Sequence, residues 1–137
     1  MNIAVEKLLG ENFENALKNN SSLYDMMVVD TVTRTNINVG YENLSKSFSS
    51  NITIEQYVES LKKQFEKITE MTVTFSDKIE TVKLGETEFT RVVCSTTAHG
   101  TTMTQVYYLQ KLSGYMGFVI VTITNGYTVA DIEAMFK

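Results

Sequence analysis

The 137-residue sequence contains no proline, no tryptophan, one cysteine and one histidine. A lone cysteine cannot form an internal disulfide bond, and a domain of this size does not need one, so cysteine usage fits a reducing compartment and an exported bacterial domain equally. A zinc site needs several converging His, Cys or carboxylate ligands, which this composition nearly excludes. Only carboxylate sites for hard cations such as Ca²⁺ are left, and no D-x-D-x-D-G loop is present. No metal or other cofactor is expected.

Basic charge and long apolar runs are also scarce. Lys and Arg total 12 against 16 Asp and Glu, giving a net charge of -4. Without a basic patch there is no field to attract phosphate backbones, so no nucleic-acid partner is expected. No run of about 18 apolar residues occurs, so no membrane span is predicted. The absence of G-x-x-x-x-G-K and G-x-G-x-x-G removes the loops that commonly hold nucleotide phosphates.

Apolar residues recur at helical spacing in three segments. The first runs from Val5 to Leu17 and is followed by N-N-S-S. The second begins after Thr53, where T-I-E-Q has the form of a capping box. Its apolar stripe comprises Ile54, Tyr57, Val58, Leu61, Phe65 and Ile68. The third follows Thr128, with Asp131 placed three residues later as in a capping box.

Between and after these helices the sequence predicts strands. Y-D-M-M-V-V-D, from Tyr24, is interpreted as a buried strand. N-I-N-V-G-Y-E-N-L alternates, with apolar residues on one face and polar residues on the other; they are Ile37, Val39 and Tyr41 against Asn36, Asn38 and Glu42. The two segments predict a hairpin. The polar stretch S-K-S-F-S-S-N, from Ser45, is predicted to be a loop.

From Met71 onward the apolar period changes from 3.6 to 2, and L-G-E-T, A-H-G-T and L-S-G-Y separate further strands at hairpin distances. These features predict an antiparallel meander. Its last strand, Y-M-G-F-V-I-V-T-I-T, has apolar residues at both odd-numbered and even-numbered positions, which is typical of a strand covered on both faces. The fold class is therefore α+β: one domain over residues 1–137, with about six antiparallel strands, helices on both faces, and the order α-β-β-α-β-β-β-β-α.

This order, with V-K-L-G-E-T-E-F-T-R-V from Val82 and T-M-T-Q-V-Y-Y-L from Thr102, resembles the PsbP/Mog1-like domains of lipoproteins and secreted proteins of gut Firmicutes. The resemblance extends over nearly the whole chain. It implies an accessory or adaptor role and an extracytoplasmic or envelope-anchored location; a cytoplasmic location is the alternative. Such domains usually open with a hairpin rich in Phe, Pro and Trp, which this chain lacks, so an uncovered sheet edge is expected.

The only cysteine and the only histidine fall together in C-S-T-T-A-H-G, Cys94 to Gly100. On a strand, His99 would lie about 16 Å from Cys94 and on the opposite face, at roughly 3.3 Å per residue. A thiol and imidazole pair needs contact within about 3.2 Å, so no catalytic pair is predicted. Cys94 is expected to be a small core residue and His99 a turn residue.

Other polar pairs also favour a protein that is not an enzyme. Asp25 with Asp30, and Glu86 with Glu88, fall at turn or edge positions, where carboxylates are usually solvated rather than paired for acid and base catalysis. No catalytic residue is assigned.

Two functions of different classes are consistent with the sequence. The favoured one is a non-enzymatic binding or assembly module that docks a protein or cell-envelope component through a sheet edge or an Asn-lined face. Its candidate binding surface comprises Asn36, Asn38, Tyr41, Tyr107, Tyr108 and Tyr115. The alternative is a small-molecule or lipid carrier, with a pocket between helix and sheet lined by Tyr57, Phe65, Tyr107 and Phe118. A continuous cavity above about 300 Å³ would favour the carrier.

The first hairpin has few charges inside its strands, and no proline is available to blunt an edge. If it lies at the sheet edge, it should pair with a second copy or be covered by the Val5 to Leu17 helix. The chain is accordingly expected to be a monomer or a weak homodimer.

Overall fold

The computed structural model describes residues 22–47, 51–124 and 127–136. They form a mixed α+β structure that is mostly sheet, as the sequence predicts. The predicted helix from Val5 to Leu17 lies outside the described residues. In chain order the elements are β1 (Ser22–Val29), β2 (Asn36–Asn43), α1 (Leu44–Ser47), α2 (Ile54–Glu66), β3 (Thr72–Leu84), β4 (Thr87–Ala98), β5 (Thr101–Leu112), β6 (Tyr115–Ile123) and α3 (Val129–Glu133).

The described strands form one six-stranded antiparallel sheet in the order β1-β2-β6-β5-β4-β3. The predicted meander is confirmed: two-residue turns join β3 to β4, β4 to β5 and β5 to β6. Gly85, Gly100 and Gly114 occupy these turns with φ values of 64°, 75° and 82°. Such tight hairpin turns need positive φ, which glycine adopts without a steric penalty.

The first hairpin joins the meander through β2, which pairs with β6. As a result β6 lies between β2 and β5 in the interior of the sheet. Its side chains are buried on both faces, as predicted: Val119 and Val121 belong to one hydrophobic cluster, and Met116 and Phe118 to the other. We call the face of the sheet with Val119 and Val121 the front face and its cluster the front cluster. The face with Met116 and Phe118 is the back face, and its cluster is the back cluster.

Each cluster combines strand and helix residues. The front cluster includes Ile132 of α3 and Phe136, which follows that helix. The back cluster includes Tyr57 and Val58 of α2 and Leu44 of α1. Burial of apolar side chains at about 25 cal/mol per Å² is the main favourable contribution to such packing. No helix among the described residues has the length and apolar composition needed to cross a membrane.

The predicted capping boxes are present at both helices. In α2 the backbone N–H of Gln56 donates to Thr53 Oγ1 at 3.2 Å, and the backbone N–H of Thr53 donates to Gln56 Oε1 at 3.0 Å. Thr128 and Asp131 make the same reciprocal pair at α3. The stripe of α2 packs on the back cluster as predicted, except for Ile68, which lies beyond the last helical residue and is exposed.

Two predictions about the first part of the chain are wrong. Met27 and Val29 of β1 are exposed rather than buried, because β1 is the outermost of the described strands. The stretch predicted to be a loop begins with a helical turn, α1. That turn forms because Leu44 is fully buried in the back cluster and because Asn43 Oδ1 accepts from the backbone N–H of Ser45 at 3.1 Å.

Candidate docking edge

The two most exposed large hydrophobic side chains of the described structure, Val32 and Met27, lie in β1 and in the loop that follows it. Among the described residues β1 pairs only with β2. The side chains of Met27 and Val29 are 67% and 42% exposed, and Val32 in the following loop is 88% exposed. The segment Met26 to Val29 contains no charged residue. An edge strand of this composition is a template on which another strand can pair.

The hydrogen-bond pattern shows which backbone groups of β1 point outward. The N–H of Asp30 donates to the carbonyl of Thr35 at 2.8 Å, so Asp30 faces the β2 side. Successive residues of an antiparallel strand direct these groups to alternate sides. The N–H and C=O groups of Val29 and Met27 therefore point away from β2, toward the open edge.

The opposite edge strand, β3, carries exposed charges that the Met26 to Val29 segment of β1 lacks. Its pairing with β4 is interrupted between Phe75 and Ile79, which is a bulge. Lys78, Glu80 and Lys83 lie exposed along the strand. Bulges and charged side chains are the usual means by which natural sheets prevent pairing at an edge. In β1 the register shift lies between Tyr24 and Met26, so the segment that follows it pairs regularly.

On the back face the edge adjoins the predicted Asn-lined surface. Asn38 lies opposite Met27 and Asn36 opposite Val29 in the β1–β2 register. Asn38 Nδ2 donates to Asn36 Oδ1 at 3.2 Å, and Asn36 Nδ2 donates to the carbonyl of Arg34 at 3.3 Å. These half-buried amides form an ordered polar border next to the two exposed apolar side chains.

On the front face the same edge borders a cavity of about 270 Å³, lined by Val28, Val29, Asp30, Thr35, Tyr127, Ile132 and Met135. Asp30 lies at its polar side. One oxygen of this carboxylate, Oδ1, accepts from the backbone N–H groups of Val32 and Thr33 at 2.8 and 3.3 Å. The other, Oδ2, accepts from the hydroxyl of Tyr127 at 2.9 Å.

These bonds determine the charge at the cavity. The N–H of Val32, followed by the Tyr127 hydroxyl and the N–H of Thr33, holds the pKa of the Asp30 carboxyl below its usual value of 3.8. The same bond to Asp30 raises the pKa of Tyr127 above its usual value. At neutral pH the cavity therefore presents a carboxylate and a neutral phenol beside apolar walls.

The six residues of the predicted binding surface do not form one surface. Side-chain alternation places Tyr41, Tyr108 and Tyr115 on the front face, and Tyr107 on the back face with the two asparagines. Tyr41, Tyr107 and Tyr108 are buried. Only Asn36 and Asn38 lie beside the open edge. Sequence reasoning missed Tyr127, Ile132 and Met135, because they reach β1 from the far end of the chain.

Cys94 and His99 are placed as predicted. Cys94 is buried in the back cluster with Val92. Burial raises the pKa of its thiol to about 11, so almost none is thiolate at neutral pH. His99 is exposed in the β4–β5 turn with a φ of 51°.

The second carboxylate pair that the sequence suggests lies apart from the β1 edge. Glu86 and Glu88 are exposed beside the β3–β4 turn. Arg91 forms ion pairs with Glu80 and Glu133 that join β4 to β3 and α3. In residues 22–47, 51–124 and 127–136 no group of three or more His, Cys, Asp or Glu side chains is arranged to hold a metal ion.

The four residues proposed to line a carrier pocket pack together on the back face. Tyr57, Tyr107 and Phe118 are buried there, and Phe65 packs against them. A larger depression, of about 730 Å³, exists elsewhere. It is lined by residues at the start and along the polar side of α2, which are Asn51, Ile52, Glu55, Gln56, Glu59, Ser60 and Lys63. None of the four aromatic residues borders it.

Neither a scan of the sequence against protein-family models nor a search of curated proteins finds a match.

Proposed function

We propose that this chain is a non-enzymatic binding or assembly module that docks an extended segment of a partner protein by strand addition to β1. The observation that carries the proposal is the regular, uncharged segment from Met26 to Val29 at the sheet edge. Strand addition uses main-chain hydrogen bonds for affinity and side-chain pockets for specificity. The outward N–H and C=O groups of Met27 and Val29 supply the first requirement, and the adjoining cavity supplies the second.

The contrast between the two edges supports this choice. Both lie at the margin of the described sheet and both have a register shift, but β3 carries exposed Lys78, Glu80 and Lys83, whereas the Met26 to Val29 segment of β1 carries no charge. A sheet that needed no partner would benefit from the same protection at β1. The carrier function has weaker support, because its four aromatic residues pack against one another in the back cluster.

The PsbP/Mog1-like fold, with helices on both faces, is part of the same proposal. It is supported by the strand and helix order after residue 22, and by the separate clusters that α2 and α3 join. An accessory or adaptor role and an extracytoplasmic location would follow from membership of that class. Finding the complete gene to encode a lipobox or export signal would support the location, and expression of an untagged, unprocessed cytoplasmic protein would contradict it.

Strand addition can be tested with random octapeptides displayed on phage and panned on the purified full chain. Val29→Pro removes an outward N–H without touching the β1–β2 hydrogen bonds, and proline is tolerated on an edge strand in that orientation. We expect enriched peptides to bind the wild-type chain and to lose at least about tenfold in affinity for Val29→Pro.

A matched pair of charge variants identifies the edge. Met27→Lys and Ile79→Lys each place a lysine at an exposed apolar position, on β1 and on β3 respectively. Docking at β1 predicts weaker peptide binding for Met27→Lys and unchanged binding for Ile79→Lys. Enrichment of no peptide, or equal binding by the Val29→Pro variant with an intact circular-dichroism spectrum, would refute the proposal.

A further inference from the structure

The cavity beside β1 lies at the margin of the sheet. Its lining includes Val28, Val29 and Asp30 at the end of β1, together with Ile132 and Met135 from the last part of the chain. Because β1 is the outermost of the described strands, a strand added to it would lie next to this cavity.

The size and lining of the cavity fit one side chain of such a strand. Its volume of about 270 Å³ is below the range of about 300 to 1,000 Å³ that is typical of pockets for drug-sized ligands, so a single bulky side chain suits it better than such a ligand. The walls formed by Val28, Ile132 and Met135 are apolar. Facing side chains on paired strands have Cβ atoms about 4.5 to 5.5 Å apart, so the residue opposite Val28 would enter the cavity.

The charge at the cavity defines a second position in the partner. Asp30 follows Val28 by two residues, and its carboxylate remains ionised because Val32, Thr33 and Tyr127 donate to it. The partner residue opposite Asp30 would lie on the same face as the anchoring residue, two positions away. Opposite charges in directly facing positions stabilise strand pairs.

We propose that the β1 edge recognises an extended peptide segment that carries a bulky apolar residue opposite Val28 and a Lys or Arg two positions away, opposite Asp30. This inference rests on the proposed docking function and adds the side-chain specificity. A second copy of this chain fits less well, because its β1, SLYDMMVV, contains Asp25 and neither Lys nor Arg.

The test uses the octapeptides enriched by panning, labelled with fluorescein, and fluorescence anisotropy with the full chain. We expect a shared pattern of one bulky apolar residue and one basic residue two positions apart. Replacing the apolar residue with alanine should lower affinity at least about tenfold. Replacing the basic residue with glutamine should lower affinity about two- to fivefold. These peptide changes leave the protein untouched, so they do not depend on how its variants fold.

Protein variants assign each peptide position to its site. Val28→Phe should fill the cavity and weaken binding of the apolar peptide at least about tenfold, whereas Val32→Phe, in the exposed loop, should not. Asp30→Asn should weaken binding of the basic peptide about two- to fivefold and leave the glutamine peptide unchanged. Glu86→Gln makes the same change of charge at an exposed position in the β3–β4 turn, away from the cavity, and is the matched control.

The outcomes separate this inference from the proposed function. If Val29→Pro abolishes binding while Val28→Phe and Asp30→Asn bind like the wild type, docking at the edge stands and the anchoring inference is wrong. If Val29→Pro binds normally, the docking function itself fails. Sedimentation that shows a dimer disrupted by Val29→Pro would identify a second copy as the occupant and overturn the inference.

Discussion

The hydroxyl of Tyr108 donates to Oε1 of Glu133 at 3.0 Å, linking the fully buried centre of β5 to α3. The same oxygen accepts from Arg91 Nη1 at 2.5 Å. Burial, reinforced by the neighbouring Glu133 carboxylate, raises the pKa of Tyr108 well above its usual value of 10. This arrangement holds the short α3 helix, and with it Ile132 of the edge cavity, against the sheet.

We expect Tyr108→Phe to lower the free energy of unfolding by about 1.5 to 3 kcal/mol, the usual contribution of a hydrogen bond to a charged group.

The raised pKa of Tyr108 also makes the free energy of unfolding depend on pH. The folded state retains the Tyr108 proton where the unfolded state loses it, so this contribution is complete below about pH 10 and declines as the pH rises further. Denaturant titrations at several alkaline pH values should show that the free energy of unfolding falls less steeply with pH in Tyr108→Phe than in the wild type. Tyr115→Phe, a half-buried tyrosine on the same face, is the control; an unchanged decline for Tyr108→Phe would contradict the assignment.

Cys94 should be chemically silent in the folded protein. Its thiol is buried and its pKa is raised to about 11, so reaction with Ellman's reagent at pH 8 should proceed only as fast as the protein opens. Cys94→Ser should cost about 1 to 3 kcal/mol, because it places a hydroxyl in the back cluster. Cys94→Ala is the control without a polar atom. Rapid labelling of the native protein, or loss of peptide binding without loss of stability, would show that Cys94 is more than a core residue.

Lysine at Val39 and lysine at Met27 should have opposite consequences. Val39 is buried in the front cluster, so Val39→Lys should lower the free energy of unfolding by about 3 kcal/mol or more. Met27 is exposed, and Met27→Lys should stay within about 0.5 kcal/mol of the wild type. Chemical denaturation measures both. Sedimentation over a concentration range should show the wild type as a monomer or weak dimer. Only Met27→Lys tests whether the β1 edge takes part in a dimer, because Val39→Lys also disturbs the core. An equally stable Val39→Lys variant would contradict the burial of this strand.

Amide exchange should be slowest in Met116 to Ile123 of β6. This strand is paired on both sides and buried on both faces, so its amides exchange only when the sheet opens globally. The outward amides of Met27 and Val29 should exchange much faster. Hydrogen exchange followed by mass spectrometry or NMR makes the comparison. Greater protection of those two amides than of β6 would mean that the edge is covered in solution.

Local patterns in the sequence were sufficient for much of the fold. The alternation in β2, the double apolar pattern of β6, the glycine turns and both capping boxes depend on residues within a few positions of one another. Side-chain direction on a strand and cap geometry on a helix are local properties, so their signals can be read directly. The burial of Cys94 could be predicted in the same way, because Cys94 and Val92 are two residues apart on a strand and therefore point to the same face.

Tertiary structure decided the position of the first hairpin and therefore the candidate site. The apolar composition of Met26 to Val29 suits a buried strand as well as an exposed edge, and only the pairing of β2 with β6 makes β1 the outermost of the described strands. The same pairing brings Asp30 to Tyr127, 97 positions apart in the chain. Tyr107 and Tyr108, adjacent in the sequence, enter opposite clusters because a strand alternates its faces. Contacts between distant segments depend on how the whole sheet assembles, and no local pattern encodes that choice.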